Sequence, residues 1–142
     1  MSVISTIEIH FTREYNLLEI VHEFFKNNWS FGEDGFAYIL SISDFDSVGW
    51  RSASLDKWSV VEKSIQQSED SGNSPGIILF FESNNIGIEI IRQSSTVLNI
   101  GLTIDRRTVS QNVTDYTWYL ENIVPILRKC GAIEAVQCED VY

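Results

Sequence analysis

Between Gly76 and Ile104 the chain reads GIILFFESNNIGIEIIRQSSTVLNIGLTI, three apolar runs divided by Ser83-Asn84-Asn85 and Gln93-Ser94-Ser95. Ile, Val, Phe and Thr suit a pleated surface, and Asn and Ser suit the reversals between runs. Breaks of about three residues predict antiparallel neighbours, because a parallel crossover needs a dozen residues or more. The stretch is therefore predicted as a three-stranded meander (about 76–104) at the centre of a mixed, mainly antiparallel sheet.

The pattern extends in both directions. Ser2 to Phe11 alternates Ile7, Ile9 and Phe11 with Glu8 and His10, a strand with one wet face. Tyr15 to Asn28 has helical spacing, with Leu17, Leu18, Val21, Phe24 and Phe25 on one stripe and Thr12 as the expected cap. Phe36 to Ile42 reads as a strand inside the sheet, and Ser43 to Ala53 as a loop. A second helix is expected from Leu55 to Gln67, capped by Ser54, with Leu55, Trp58, Val61 and Ile65 inward. Gln66 to Pro75 then breaks structure.

A third helix is expected from near Asn112–Thr114 to Cys130, with Tyr116, Tyr119, Leu120, Ile123 and Leu127 inward. Pro125 is expected to bend or restart it, and Gly131 to end it in a left-handed turn. Ala132 to Cys138 reads as a last strand. The order βα, β, α, βββ, α, β is too irregular for a doubly wound parallel sheet. It predicts one α+β domain spanning 1–142, a single sheet layer with three helices packed on it.

Composition supports a core. Of 142 residues 44% are hydrophobic and 12% aromatic, which excludes a disordered composition. No apolar run approaches the ~20 residues that span a bilayer. MSVISTIEIHF has no basic n-region and holds Glu8 within its apolar stretch, so no signal peptide is expected and the predicted location is cytoplasmic. Cys130 and Cys138, the only cysteines, are expected as two buried, reduced thiols.

Charge narrows the function classes. The formal net charge is −10, from 10 basic and 20 acidic residues. That excludes a basic nucleic-acid-binding stripe and attraction to anionic membranes, and it suits a basic protein partner. Residues 30–56 carry Glu33, Asp34, Asp44, Asp46 and Asp56 against Arg51 alone, whereas 76–110 balances Arg92, Arg106 and Arg107 against Glu82, Glu89 and Asp105.

Candidate chemistry is sparse. No nucleophile elbow, phosphate loop, HExxH, CxxC or GxGxxG occurs, and His10 and His22 are the whole imidazole supply. Asp44-Phe45-Asp46 lacks the glycine and distal glutamate of a calcium loop. No metal, no cofactor and no enzymatic activity are predicted. Trp58 and Trp118 sit on helix faces and are expected in the core, whereas Trp29 and Trp50 fall in or beside acidic loops, where an aromatic among acids has the chemistry of a protein-binding anchor and equally of a lid over a small core.

In size, charge and layout, carried by Glu33, Asp34, Asp44, Asp46 and Trp50, the chain resembles the immunity proteins of bacterial toxin–immunity systems. That resemblance implies stoichiometric binding of a cognate toxin, often a basic nuclease, through the acidic and aromatic loops, by a protein that is itself a monomer or weak dimer. Anions that occupy a nuclease's phosphate cleft also speed its capture. The alternative is a small-molecule-binding or regulatory α+β domain with no catalytic activity, its pocket between helices and sheet.

Overall fold

The computed structural model describes residues 2–31, 36–40, 50–54, 58–81 and 85–142. Among the described residues ten strands and three helices follow in the order β1 (Ile4–Phe11), α1 (Leu17–Phe25), β2 (Trp29–Ser30), β3 (Phe36–Leu40), β4 (Arg51–Ser54), α2 (Trp58–Asp70), β5 (Gly76–Phe81), β6 (Gly87–Arg92), β7 (Val97–Ile104), β8 (Thr108–Ser110), β9 (Val113–Thr114), α3 (Tyr116–Arg128) and β10 (Ile133–Val141). The fold is α+β. The main sheet runs β10-β1-β7-β6-β5-β3-β4, with β2 paired to β5, and β8 and β9 form a separate hairpin. Every described pairing is antiparallel.

The meander is β5-β6-β7, and it sits in the middle of the sheet. Period-two alternation decides its faces. Ile77 and Leu79, Ile88 and Ile90, Leu98 and Ile100, and Ile7 and Ile9 of β1 share one face and are all at 0% exposure. Against them α1 buries Leu17, Ile20, Val21 and Phe24, α2 buries Val61 and Ile65, and α3 buries Tyr119, Ile123, Ile126 and Leu127. Fully burying each large aliphatic side chain stabilises the fold by about 1.5–3 kcal/mol.

Among the described residues no helix packs on the other face. There three glycines, each buried, lie under a neighbour's side chain. A Cβ on Gly87 would stand 2.9 Å from Ile104, one on Gly101 3.0 Å from Glu89 Oε2, and one on Gly76 3.1 Å from the Trp50 ring. The missing side chains let Ile104, Glu89 and Trp50 lie flat on the open face.

Local chemistry corrects several expectations. Asn16, not Thr12, caps α1, its Oδ1 accepting from Leu18 N–H at 3.0 Å. The Thr12 hydroxyl instead donates to the Ala132 carbonyl. Helix α2 runs on to Asp70 through the expected break, with Gln66 Nε2 donating to Asp70 Oδ1 at 2.8 Å. Arg51–Ala53, expected as loop, and Ser54, expected to cap the second helix, form strand β4. The polar connection after the meander contains the β8-β9 hairpin.

Helix α3 starts on its cap Asp115 and continues through Pro125 without a restart. The carbonyl that loses its donor belongs to Glu121, on the exposed side of the helix, where a proline costs least. Gly131 does not take a left-handed conformation; the residues that do are Asn28, Asn85, Asp105, Asn112 and Gly72. The α3 end is closed instead by Lys129 N–H and Cys130 N–H on the carbonyls of Ile126 and Leu127. A largely buried ion pair, Arg92 to Glu69 at 3.7 Å, ties β6 to α2, and Glu69 Oε2 also accepts from Leu17 N–H at the start of α1.

Candidate functional site

Of the five residues expected to bind a partner, Glu33, Asp34, Asp44 and Asp46 lie outside the described residues. Their flanking residues Phe36 and Leu40 stand at opposite ends of β3, four residues or ~13 Å apart. Trp50 is described. It precedes β4, is half-buried, and its Cη2 lies 3.1 Å from where a Gly76 Cβ would stand. Ile91 Cγ1 and the Ile90 carbonyl oxygen are equally close to that point. The indole is thus seated on the open face near the β4 edge, its contact with β5 made possible by a missing side chain.

Trp29 belongs elsewhere. Expected on a loop, it is 2% exposed and packs edge-on between Phe24, Phe81 and Trp118 at centroid distances of 5.6, 5.1 and 6.5 Å. Its Nε1 has no hydrogen-bond partner among the described residues. Trp58 and Trp118, expected in the core from their places on helix faces, pack against it half-buried. Arg107 places its guanidinium 5.4 Å from the Trp118 ring centroid, a cation–π contact on the protein's surface.

The most ordered polar constellation was not visible in the sequence. Asp140 on β10 faces Ser5 on β1, the register bringing them side by side. Its Oδ1 accepts from the hydroxyls of Ser5 at 2.6 Å, Thr114 at 2.6 Å and Tyr116 at 2.7 Å, and its Oδ2 accepts from Thr114 N–H at 3.1 Å. Arg106 Nη1 donates to Thr114 Oγ1 at 2.7 Å. Burial by itself would raise the Asp140 pKa, but these hydrogen bonds outweigh it and hold the carboxyl well below the usual carboxylate range. Burial, and then Asp140, push the Tyr116 phenol above its ordinary value. Three hydroxyls and one backbone N–H are committed to one carboxylate, and Arg106 reaches it through Thr114. The cluster fastens strand to hairpin to helix.

Both thiols are free, and neither is fully buried: Cys130 is half-buried and Cys138 exposed. Burial pushes Cys130 up to about 11, and its Sγ lies 3.7 Å from the Ile126 carbonyl oxygen. Cys138 is raised by partial desolvation and then by Asp140. The expectation of two buried thiols fails for both: Cys130 is half-buried at the end of α3, and Cys138 lies on edge strand β10, exposed for most of its length.

The layer between helices and sheet, where the alternative reading places a ligand, is filled by side chains at or near zero exposure. A shallow cleft of about 330 Å³ lies at the surface between Phe11–Tyr15 and Cys130–Ala132. Among the described residues no group of three or more His, Cys, Asp or Glu is arranged to hold a metal ion, and no helix is long and apolar enough to cross a membrane. Compared with protein-family models, curated proteins and solved structures, the chain matches none.

Proposed function

We propose that the protein acts by stoichiometric binding, in the manner of an immunity protein that neutralises a cognate toxin with a basic face. The observation that carries the reading is Trp50. A large indole is held on the uncovered face of the sheet with part of its surface open to solvent. Rigid, half-exposed aromatics of this kind supply most of the energy at protein interfaces. The chain around it, from Glu33 to Asp56, is acidic in a protein of net charge −10, and such charge steers a basic partner into contact. The partner is a protein, and the location consistent with intercepting a toxin inside its producer is the cytoplasm.

The test is co-expression with the product of the neighbouring reading frame. A 1:1 complex and rescue of growth are expected. Exchanging Asp44 and Asp46 for Lys slows association, most at low salt, because exposed charges are screened beyond ~8 Å at physiological ionic strength. Trp50→Ala mainly speeds dissociation, by about thirtyfold for an anchor worth ~2 kcal/mol. A charge-reversed variant that protects cells as well as wild type would overturn the reading.

A further inference from the structure

Seven large hydrophobic side chains are exposed among the described residues: Ile4, Val60, Val109, Val113, Val136, Val141 and Tyr142. All but Val60 gather at one edge of the sheet. Val136 and Val141 are on β10 and Tyr142 follows it; Ile4 is the cross-strand partner of Val141; Val109 and Val113 are on the β8-β9 hairpin. That hairpin is bonded to the end of β10 through Thr114 N–H on Asp140, and the Tyr142 hydroxyl donates to the Asn112 carbonyl at 3.1 Å. β10 is nine residues long and pairs with β1 alone, so its outer row of N–H and C=O groups is unpaired by any described strand.

Two further features decide what fits there. The strand is held stiff, since Asp140 is locked by three hydroxyls and a backbone N–H, so it offers a template rather than a fraying end. Its charge has one sign: Glu134, Glu139 and Asp140, with no basic residue. A second copy is a poor occupant. Antiparallel self-pairing about Gln137 would set Glu134 against Asp140, and like charges directly opposed are destabilising.

We propose that the outer edge of β10 is a strand-addition site for an extended segment of a partner protein that carries lysine or arginine together with apolar residues on both of its faces. Main-chain hydrogen bonds extend the ladder; on the open face Glu139 meets a cation and Val141, beside Ile4, an apolar residue, on the helix face Val136 meets an apolar residue, and Glu134 meets a cation at the start of the strand. This edge is at the opposite end of the strand order from β4 and Trp50. It rests on separate residues, so either reading survives the failure of the other.

The probe is a ten-residue peptide of repeating Lys-Lys-Val-Val, which places lysine and valine on both faces of an extended strand, blocked at both ends and titrated into isotope-labelled protein followed by NMR. Two more versions carry N-methyl groups on the odd or on the even residues. In an added strand only alternate N–H groups face the neighbour. Amide shifts confined to 133–141 and to β1 are expected. One methylated peptide should lose at least tenfold in affinity while the other binds like the parent. The double variant Glu134→Lys with Glu139→Lys, checked for a dispersed spectrum, should lose at least tenfold for the lysine peptide and gain binding of a glutamate–valine peptide. Equal binding of both methylated peptides, or shifts centred elsewhere, would show charge attraction alone and overturn the proposal. So would dimerisation through β10 without peptide, which would make a second copy the occupant.

Discussion

The two edges of the sheet handle the same hazard differently. At one end β4 is four residues long, with Trp50 just before it laid against β5. At the other β10 is nine residues long, exposed on both faces for most of its length, and defended by acids alone. A short edge offers little ladder to a stray strand; a long one invites pairing unless charge refuses it. Cost follows the same division. At the β4 edge the decisive contacts are steric, among Gly76, Ile91 and Trp50, whereas at the β10 edge they are hydrogen bonds to one carboxylate.

The contrast is broken most severely at Asp140. Asp140→Asn strips the charge from four hydrogen bonds, and a loss of about 2–3 kcal/mol is expected at pH 7, read by urea unfolding. The sign with pH follows from the lowered folded-state value. The wild type holds this stabilisation above the unfolded aspartate value of about 3.9, and loses it as pH falls from there through the folded value. The variant should therefore show a flatter acid limb, and an identical acid limb would deny Asp140 its role.

Next comes Gly76→Ala, whose new methyl meets Trp50, Ile91 and the Ile90 carbonyl at 3.1 Å. A loss of about 1–2 kcal/mol is expected from overpacking, with a change in Trp50 emission seen against a Trp50→Phe background. An unshifted emission would mean that Trp50 is not seated on Gly76. Smaller still is Val136→Thr at the other edge. Val136 is already 38% exposed, so stability should stay within about 0.5 kcal/mol. The smallest effect separates the thiols. Cys138 should react with iodoacetamide faster than Cys130, which is half-buried and pushed up to about 11, and both more slowly than free cysteine. Equal rates would place Cys138 under cover.

What could be read from the sequence was whatever each segment decides by itself. The meander, β1 and the three helices announce themselves by period, because an amphipathic stripe is a property of the segment that carries it. Arg51–Ser54 has no such period and becomes a strand only because β3 lies beside it. Trp29 looked like a loop residue because β2 is two residues long, and only the Phe24 and Phe81 rings make it core. The Asp140 cluster draws on positions 5, 114, 116 and 140, and no window holds them together. The length of α2 was missed because its last turn is polar, held by Gln66 on Asp70 and by the Glu69 ion pair. Of the expected partner site, Trp50 alone is described, and nothing in its sequence context foretold that a glycine on β5 would make room for it.

β1 has a consequence for how the chain must be made. Ile7 faces Ile100 on one side and Cys138 on the other, so neither neighbour exists when the strand leaves the ribosome. During vectorial synthesis it waits, unpaired, for nearly two-thirds of the chain before β7 is complete, and for most of it before β10. Such distant pairings slow folding, since the loop must close before the contact repays it. The Ser5–Asp140 bond is then the last clasp of the ladder to form, and the nascent protein should gain full resistance to proteases only after Asp140 has cleared the exit tunnel.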